Sequence, residues 1–476
     1  MTLRELIDPG APEVEISGLA YDNRSVTPGT LFFCVPGFKL DGHDFAPDAV
    51  ERGAAALVTQ RPLNLGVPEV QVDDVRAAMA EAAARFHGDP TRTLRVVGIT
   101  GTNGKTTTAF LVRSILEQAG HRTGLLGTVA SIVGGREEPV ERTTPEAIDL
   151  QATLARMLRE GDTACVMEVS SHALDLHRVD GIHFAARVFT NLTQDHLDFH
   201  PTMEDYFAAK RMLFERPGGP SIVNADDEYG RRLEREIPAA LTFGIERAAD
   251  YHAADVSFDT AGSAFTLRAP DGTELPIHTR LPGLFNVSNA LAAIAATHSI
   301  GIPLSDSAQA LATAERVPGR FEPVDEGQEF AVLVDYAHTP DSLENVLRAA
   351  REITRGRLHV VFGAGGDRDQ GKRPLMGRVA SELADRAIVT SDNPRSEDPG
   401  SIVDQVFAGT GGAAEREVDR RRAIALAVEG AEPGDVVVIA GKGHEQGQEF
   451  ECGRKQPFDD VTVAREALRA TLGARR

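Results

Sequence analysis

Hydrophobic residues occur along this chain in short runs, separated by segments whose polar and hydrophobic positions alternate with helical periodicity. Runs rich in branched aliphatic residues predict buried strands, and alanine-rich or amphipathic segments predict helices. In the middle of the chain the predicted strands are 94–99, 165–169, 186–190 and 221–224, and the predicted helices are 104–119 and 203–214. A β-rich stretch at 250–281 and an alanine-rich helix after residues 282–289 follow. This alternation is typical of a doubly wound α/β domain.

The flanking parts of the chain also alternate between strands and helices. Before residue 89, short strands at 31–35 and 55–58 precede an alanine-rich helix at 76–86. Residues 88–90 and 317–320 are rich in Gly and Pro and look like junctions between domains. We therefore predict an α/β protein with three domains. The predicted domains are residues 1–88, 89–317 and 318–476.

In the last predicted domain, four strands each end in a loop rich in Gly, Asp, Asn or His. The strands are 330–335, 358–362, 387–390 and 436–440. This pattern predicts a Rossmann-like C-terminal domain. Ligands bind beyond the carboxyl ends of parallel strands, so the four loops predict a second binding surface at that edge.

The segment 94–110 has the order of strand, glycine-rich turn and helix that a phosphate-binding loop requires. Gly101 and Gly104 would let backbone N–H groups converge on phosphate oxygens at the positive end of the helix. Lys105 would add a positive charge and Thr106 a hydroxyl ligand for Mg²⁺. The spacing departs from the usual motif, because Gly101 stands only three residues before Gly104. An ordinary turn without a ligand is the alternative, but a Lys-Thr-Thr-Thr run at a helix start favours a nucleoside triphosphate site.

Composition limits the partners and the compartment. The 476 residues include 42% hydrophobic and 25% charged residues, as in a globular chain. A net charge of −21 repels nucleic acid and anionic membrane surfaces, so neither is expected as a partner. The three cysteines form neither a disulfide framework nor a Cys-x-x-Cys pair. With no signal peptide and no apolar run long enough to span a bilayer, we expect a cytoplasmic protein without membrane insertion.

Lysine is rare in this chain, with six lysines among fifty basic residues. Because arginine supplies positive charge almost everywhere else, a retained lysine indicates chemistry that a guanidinium cannot perform. Lys210 lies in a predicted helix, whereas Glu168 and His196 lie at or beyond the ends of predicted strands. Together with the phosphate loop, these three residues could form a metal–phosphate site. Individually, each could be a capping carboxylate, a surface imidazole or a solvated helix charge.

Several motifs occur in a characteristic order along the chain. The motifs are Gly-Thr-Asn-Gly-Lys-Thr-Thr at 101–107, Glu-Val-Ser-Ser-His at 168–172, Thr-Asn-Leu at 190–192, Asp-His-Leu-Asp at 195–198, Tyr-Phe-Ala-Ala-Lys at 206–210, Leu-Phe-Asn-Val-Ser-Asn-Ala at 284–290, Asp-Tyr-Ala-His-Thr-Pro at 335–340, Gly-Gly-Asp-Arg-Asp at 365–369 and Lys-Arg-Pro at 372–374. This series resembles that of the Mur ligases, the ATP-dependent amide-bond-forming enzymes of peptidoglycan precursor synthesis, and the resemblance covers essentially the whole chain. It implies an N-terminal UDP-substrate-binding domain, a central P-loop ATPase domain and a C-terminal amino-acid-binding domain, in an enzyme expected to be a monomer.

The resemblance implies an ADP-forming ligase reaction. ATP phosphorylates a substrate carboxylate, and the incoming amino group attacks the acyl phosphate. One Mg²⁺ is held by the phosphates, Thr106 and Glu168, and a second through His196 and Lys210. In the family the equivalent lysine carries a carbamate derived from CO₂, which turns a cation into an anionic metal ligand. The implied catalytic residues are Lys105, Glu168, His196 and Lys210.

Further positions match ligand contacts of the family, with UDP-N-acetylmuramoyl-L-Ala-D-Glu as the implied substrate. The implied ATP-binding residues are Gly101, Thr102, Asn103, Gly104, Lys105, Thr106, Thr107, Asn286, Asn289, Arg320 and His338. The implied UDP-dipeptide-binding residues are Asn23, Phe38, Lys39, Leu40, Thr143, Thr144, Ser170 and Arg178. Leu176 replaces a glutamine that many relatives carry before His-Arg-Val, so the contact of that glutamine is not implied here.

The loop after the strand at 387–390 contains Asp-Asn-Pro-Arg, which resembles the signature of the family members that add meso-diaminopimelate. Diaminopimelate has a carboxylate on its distal carbon and lysine has none, so the guanidinium of Arg395 would pair with the first and repel the second. Glu445 suits the distal ammonium. Taken alone, the loop could be an ordinary Asn-Pro turn. The implied amino-acid-binding residues are Arg373, Asp392, Asn393, Pro394, Arg395, Gly441 and Glu445.

Three alternatives differ in function. A lysine-adding form of the same ligase is disfavoured by Arg395. Folylpolyglutamate synthase belongs to the same superfamily, but the segment 1–88 and the Thr-Thr-Pro sequence at 143–145 disfavour it. A nucleotide-dependent switch that hydrolyses ATP to change a partner's conformation belongs to another class. Such a switch would release phosphate in response to a macromolecule and not to a small diamine.

Overall fold

The computed structural model of the protein describes residues 1–37, 40–140, 142–216 and 218–475. The chain forms two units, each assembled from segments that are not contiguous in sequence. Unit one comprises Met1–Thr100, Ala119–Val188 and Ala209–Pro220, and unit two comprises Gly101–Gln118, Phe189–Ala208 and Ser221–Arg476. Among the described residues, no helix combines the length and the hydrophobicity that a membrane span needs.

The N-terminal part of unit one is a four-stranded parallel sheet whose strands lie in sequence order. Leu31 and Phe33 pack on one face and Phe32 on the other. Because both faces are covered, the predicted strands in this region are almost continuously hydrophobic. The strands are Gly18–Ala20, Thr30–Phe33, Ala54–Thr59 and Glu69–Gln71, and the helices are Leu3–Leu6, Ala46–Glu51 and Val75–Phe86, with 3₁₀ turns at Asn23–Ser25, Gly42–Phe45 and Pro90–Arg92.

A second sheet in unit one contains the strand that leads into the phosphate loop. The strand Arg95–Thr100 pairs in parallel with Ala164–Glu168, so that Ile99 lies opposite Glu168. The predicted metal ligand Glu168 therefore stands at the carboxyl edge of this sheet. In this unit the strand order is Phe184–Phe189, Arg95–Thr100, Ala164–Glu168, Thr123–Leu126, Ser131–Val133 and Arg136–Glu138, and the helices are Ala147–Arg159 and Ser171–Asp175.

The first part of unit two contains the predicted β-rich stretch, in which three antiparallel strands follow one another. One predicted boundary was wrong. The alanine-rich helix begins at Leu284, because Gly283, with φ of +102°, ends the preceding turn, so Asn286 and Asn289 lie inside the helix. The strands are Ser221–Asn224, Leu241–Gly244, Tyr251–Asp259, Gly262–Arg268 and Glu274–Thr279, and the helices are Lys105–Gln118, Met203–Glu215 (which contributes residues to both units), Glu228–Glu236, Leu284–Ser299 and Leu304–Thr313.

The C-terminal part of unit two has three layers, with helices on both faces of a six-stranded sheet. Val438 and Ala440 pack on one face and Val437 and Ile439 on the other, which is the alternation expected of a strand buried on both sides. The strand order is Glu322–Pro323, Ala331–Asp335, Val436–Ala440, Leu358–Phe362, Arg386–Val389 and Glu415–Arg416, with parallel neighbours except in the first pair. The helices are Pro340–Ile353, Lys372–Leu383 and Pro399–Ala408 on one face and Arg420–Glu429 and Asp460–Arg475 on the other, and Gly447–Glu449 pairs with Lys455–Pro457 beside the 3₁₀ turn Glu451–Gly453.

A fully buried ion pair joins two of these helices. Arg420 donates hydrogen bonds to both carboxylate oxygens of Asp460, over 2.8 and 2.6 Å, and to the backbone carbonyl of Ala440 over 3.0 Å. Neither charged side chain is exposed. Burial raises the pKa of Asp460 despite the neighbouring guanidinium. The pair is thus a point at which the loss of one charge would leave the other buried alone.

Replacing Asp460 with asparagine should destabilise the protein by about 3–5 kcal/mol, because Arg420 would remain buried without an opposing charge. The control is Glu344→Gln, which removes an exposed pair with Arg348 and should change stability by less than about 0.5 kcal/mol. The measurement is the midpoint of urea unfolding followed by circular dichroism. Equal midpoints for the two variants would contradict the prediction.

Candidate functional site

The predicted phosphate loop lies at the start of the helix Lys105–Gln118. Gly101 and Gly104 have φ values of +146° and +84°, which glycine adopts readily. A Cβ atom at Gly101 would lie 1.9 Å from Thr190 Oγ1, and one at Gly104 would lie 2.4 Å from Asn289 Oδ1. Both positions therefore require glycine, because of backbone conformation and because of close packing.

Asn103 is the centre of the contacts that hold this loop. Its backbone N–H donates to Asn191 Oδ1 over 2.9 Å, and its side chain donates to Asp341 Oδ2 over 2.8 Å. Thr190 Oγ1 donates to the carbonyl of Asn103 over 2.6 Å. Asp341 lies 238 residues beyond Asn103, in a helix to which the sequence assigned no site residue. These contacts fix the turn that presents the helix N-terminus, where anions bind.

Lys105 and Thr106 are the first two residues of the helix that follows the phosphate loop. The ammonium group of Lys105 donates to the carbonyls of Gly101 and Thr102, over 2.9 and 2.8 Å. Thr106 is buried, and its hydroxyl accepts a hydrogen bond from Arg320 Nη2 over 3.1 Å. The buried Nε of Arg320 has no hydrogen-bond acceptor among the described residues. Arg320 therefore holds an unused donor close to the phosphate loop.

The two predicted asparagines of the next helix belong to the same network. Asn289 donates from Nδ2 to Asn286 Oδ1 over 3.3 Å and accepts from the Thr108 hydroxyl over 3.4 Å. Asn286 donates to the carbonyl of Pro282 over 2.8 Å. Both asparagines are buried and lie beside the helix that begins at Lys105.

A buried carboxylate, that of Asp195, brings three basic side chains together. His196 Nε2 and His338 Nε2 lie 3.4 and 3.9 Å from Asp195 Oδ2, and Lys372 Nζ lies 3.6 Å from Oδ1. Burial would raise the pKa of Asp195, but the charges of His196 and Lys372 outweigh it and hold the pKa well below its ordinary value. Burial, reinforced by Lys372, lowers the pKa of His338. The sequence assigned no role to Asp195, although its place in the Asp-His motif was a signal.

In unit one, Glu168 is buried at the end of its strand. Its carboxylate accepts hydrogen bonds from the backbone N–H and the hydroxyl of Thr128, over 2.8 and 3.2 Å. The Thr128 hydroxyl also lies 3.0 Å from that of Thr143. Thr144 Oγ1 donates to the carbonyl of Glu168 over 2.9 Å and accepts from the N–H of Ser170 over 3.3 Å. The structure thus joins a predicted metal ligand to three predicted substrate residues: to Thr144 directly, to Ser170 through Thr144, and to Thr143 through Thr128, which no sequence signal marked.

Arg178 reaches the same loop. Its guanidinium donates to the carbonyl of Thr144 over 3.1 Å and lies 2.7 Å from Glu146 Oε1. The buried Glu146 also pairs with Arg76 and Arg142, over 3.1 and 3.0 Å. Glu146 and Arg142 line a cavity of about 220 Å³ in unit one. Glu138 and Asp149 line the same cavity, so its charged lining consists of three carboxylates and one arginine.

The other residues predicted to contact the UDP end lie in the N-terminal part. Asn23 donates to Asp48 Oδ2 over 2.7 Å. Leu40 is 67% exposed, which is unusual for a large hydrophobic residue. Phe38 and Lys39 lie outside the described residues.

Two predicted metal ligands carry oxygen donors of the kind that Mg²⁺ prefers. Thr106, in unit two, offers a hydroxyl and Glu168, in unit one, a carboxylate, and magnesium sites commonly use one or two protein carboxylates together with substrate phosphates. Within the described ranges, no group of three or more His, Cys, Asp and Glu side chains could hold a metal by itself. Lys210, on the helix Met203–Glu215, is 1% exposed.

At the carboxyl edge of the C-terminal sheet, the loops predicted to bind the amino acid meet. Asn393 donates from Nδ2 to Glu445 Oε2 over 2.7 Å, and the buried Lys442 donates to both residues over 2.9 Å. Burial would raise the pKa of Asp392, but positive charge, above all that of Lys442, outweighs it and holds the pKa low. A Cβ atom at Gly441 would lie 2.5 Å from Asp392 Oδ2, so only glycine fits there.

Arg395 is held at the rim of these loops. Its Nε donates to Glu449 Oε2 over 3.1 Å and its Nη1 donates to the carbonyl of Gly366 over 2.7 Å. Its Nη2 makes no hydrogen bond to a described residue. The preceding residue, Pro394, is buried with its carbonyl packed against Gly366. Arg395 therefore has a fixed guanidinium with a donor still available.

The guanidinium of Arg373 differs from that of Arg395 in its hydrogen bonds to the protein. It is fully buried and donates from both terminal nitrogens to Glu397, over 2.8 Å each. It also donates to Gln405 and to the carbonyl of Gly365, over 2.8 and 3.1 Å. Both terminal nitrogens of Arg373 are thus occupied by the protein itself, and its buried Nε has no acceptor among the described residues, whereas Arg395 retains a terminal donor for a ligand.

Three family models match consecutive segments of the chain. The Mur ligase family catalytic domain matches residues 15–87, the Mur ligase middle domain residues 99–297, and the Mur ligase glutamate ligase domain residues 319–443. These matches confirm the predicted three-domain α/β architecture.

Known proteins are similar to this chain over nearly its whole length. The UDP-N-acetylmuramoyl-L-alanyl-D-glutamate–2,6-diaminopimelate ligase of Geobacillus thermodenitrificans is 49% identical over 467 residues, covering 96% of this chain and 95% of its own. The ligase of the same name from Streptomyces coelicolor is 47% identical over 492 residues, covering 99% and 97%.

Solved structures agree with these relatives. A structure of a ligase with the same name has 34% identity and a TM-score of 0.71, covering 99% of both chains. A structure of MurF from Acinetobacter baumannii has 20% identity and a TM-score of 0.66, covering 97% of this chain and 94% of its own, which is a likeness of fold. Because relatives almost half identical to it match from end to end, the chain belongs to the Mur ligase family.

Proposed function

We propose that this chain is an ATP-dependent ligase that joins meso-diaminopimelate to UDP-N-acetylmuramoyl-L-alanyl-D-glutamate in peptidoglycan precursor synthesis, with release of ADP and phosphate. The observation that carries the proposal is the arrangement of Arg395. Glu449 and Gly366 fix its guanidinium and leave Nη2 available for the distal carboxylate of diaminopimelate. The full-length relatives named for this reaction support the same substrate.

We assign one ligand to each predicted domain. Residues 1–88 would bind the UDP end of the dipeptide substrate, residues 89–317 ATP, and residues 318–476 the amino acid. ATP and UDP-linked intermediates are cytoplasmic compounds, so we propose a cytoplasmic enzyme. For the oligomeric state, we propose a monomer.

The phosphate loop would bind the triphosphate. Backbone N–H groups at the start of the helix Lys105–Gln118 and the ammonium of Lys105 would bind phosphate oxygens. Arg320 would donate to the nucleotide from the buried Nε that has no acceptor in the described part of the chain. Mg²⁺, bound through Thr106 and Glu168, would neutralise charge between the phosphates and the substrate carboxylate.

The reaction then proceeds in two steps. A glutamyl carboxylate oxygen forms a bond to the γ-phosphorus while the bond to ADP breaks. The neutral amino group of diaminopimelate attacks the resulting acyl carbon, loses a proton, and phosphate departs. Arg178, held by Glu146 and by the carbonyl of Thr144, would position the dipeptide for the first step. Glu445 would bind the distal ammonium of the amino acid.

Lys210 has a separate proposed role. Its side chain is 1% exposed, so its amino group lies in the protein interior. Addition of CO₂ to the neutral amine, with loss of one proton, gives an anionic carbamate that could act with His196 as a ligand of a second Mg²⁺. Arginine cannot form this group, which agrees with the retention of lysine in an arginine-rich chain.

Lys210→Ala and Lys210→Arg should each lower kcat on the order of a hundred-fold, the loss typical when one charge-stabilising group is removed. Formate or acetate should restore part of the activity of the alanine variant, because a free carboxylate can occupy the vacated space. Lys455→Arg, which replaces an exposed lysine, should keep full activity. Full activity in Lys210→Arg would sink the carbamate proposal.

Arg395→Ala should lower kcat/KM for diaminopimelate by about thirty- to a thousand-fold, because a charge-assisted pair is worth about 2–4 kcal/mol when one partner is removed. The KM values for ATP and for the UDP-dipeptide should stay nearly constant, and lysine turnover should stay level or rise slightly. Arg378→Ala, on an exposed helix face, is the matched control. Steady-state kinetics with both amino acids gives the comparison. If diaminopimelate and lysine use fall in equal proportion, Arg395 is a structural residue of its loop and the amino-acid assignment is wrong.

A further inference from the structure

The side chain of Tyr336 lies between residues of two predicted sites in unit two. Its ring centre is 4.5 Å from the guanidinium carbon of Arg320, a predicted ATP contact. The ring of His444, in the loop that carries Glu445, lies 5.3 Å from it. The hydroxyl of Tyr336 makes no hydrogen bond to a described residue. The ring and not the hydroxyl is therefore the group in contact with both sites.

The contact with Tyr336 restricts the orientation of Arg320. A guanidinium over an aromatic face keeps this attraction only while its positive group stays over the ring, which limits the directions that its N–H donors can take. One of these donors, Nη2, already reaches the hydroxyl of Thr106 over 3.1 Å, and the buried Nε has no acceptor in the described chain. Without the ring, the donors would still exist, but their direction would no longer be fixed.

The ring is in turn held from the amino-acid side. A Cβ atom at Gly443 would lie 2.8 Å from the Cβ of Tyr336 and 2.7 Å from the carbonyl oxygen of Gly319. A Cβ atom at Gly319 would lie 2.1 Å from the backbone nitrogen of His444. Two glycines, with φ values of +67° at Gly319 and +54° at Gly443, thus bring the backbones into direct contact. Tyr336 therefore cannot shift towards the loop 441–445 without displacing it.

We propose that Tyr336 is a positioning residue for ATP binding: its ring fixes the guanidinium plane of Arg320 towards the nucleotide phosphates, and the loop 441–445 holds the ring in place. The proposal rests on the proposed function in one respect, that Arg320 contacts ATP. It goes beyond that function by linking the amino-acid loop physically to a nucleotide contact. The ring also lies 4.7 Å from that of His338, another predicted ATP contact. The proposal assigns the contribution of Tyr336 to Arg320, so this contribution should vanish when the guanidinium is absent.

The test is a double-mutant cycle on the full chain, with the Kd of a Mg²⁺-bound, non-hydrolysable ATP analogue measured by calorimetry. Tyr336→Leu should weaken binding by about three- to thirty-fold, the range of a partly desolvated cation–π contact. Tyr336→Phe, which keeps the ring, should stay within about two-fold of the parent protein. Arg320→Met should weaken binding at least as much as Tyr336→Leu. The double variant should be no weaker than Arg320→Met alone, because contacting residues are not additive.

Gly443→Ala supplies a second variant that keeps the ring. The added Cβ should displace Tyr336 and lower affinity for the analogue in the parent protein, but not in the Arg320→Met background.

Three results would overturn the proposal. Equal losses from Tyr336→Leu in the parent and in the Arg320→Met background would mean that the ring acts independently of Arg320. A phenylalanine variant as weak as the leucine variant would mean that the ring face is not the active feature. Unchanged affinity in Arg320→Met would contradict the ATP contact itself, and with it the positioning role, whereas additive losses contradict only the role of Tyr336.

Discussion

Repulsion between negative charges is the constraint on which this site depends, because the proposed reaction brings a carboxylate next to a triphosphate. The chain as a whole worsens the problem, since its net charge is −21. Positive potential must therefore be local and fixed in direction. The N-terminus of the helix Lys105–Gln118 supplies part of it, and the side chains of Lys105 and Arg320 add to it. The contacts of Asn103 with Asn191 and Asp341 hold the loop in one shape, so its donors need little reorganisation when the nucleotide binds.

The amino-acid region is under a related constraint. It contains several partly or fully buried cations, and only some of them can be available to the ligand. Arg373 is paired with Glu397, and Lys442 is paired with Glu445. Arg395 is only partly used by the protein and keeps a donor. Selectivity for a second carboxylate then depends less on the number of positive charges in the pocket than on which of them remains incompletely paired.

Much of the fold can be predicted from the pattern of hydrophobic residues over short segments of the chain. The strands Ser221–Asn224, Leu358–Phe362 and Val436–Ala440 match the predicted bounds, because strands buried on both faces are continuous hydrophobic runs. The start of the helix at Leu284 was misjudged, because a backbone turn at Gly283 and not the alanine content determines where the helix begins.

The side chains that contact the site residues could not be predicted from the sequence. Asp341 contacts Asn103 across 238 residues, and Thr128 reaches Glu168 across 40, with no local pattern that marks either contact. The sequence analysis also assigned Arg373 and Arg395 to the same amino-acid pocket without distinguishing their roles. Only the hydrogen bonds of each guanidinium separate a residue whose terminal nitrogens are both occupied by the protein from one that retains a terminal donor. Residue types at a site are thus visible in the sequence, whereas their state of pairing depends on the fold.

The most direct test of the proposed chemistry follows an isotope. The protein would be incubated with Mg²⁺, ATP, diaminopimelate and a UDP-dipeptide whose glutamyl carboxylates carry ¹⁸O. The masses of the released phosphate and of the product would then be measured by mass spectrometry. An acyl-phosphate route transfers one ¹⁸O to each phosphate released and yields a product heavier by one diaminopimelate residue, and lysine in place of diaminopimelate yields little product. Unlabelled phosphate would contradict the acyl-phosphate intermediate, and ATP hydrolysis that does not depend on the amino acid would contradict the ligase reaction.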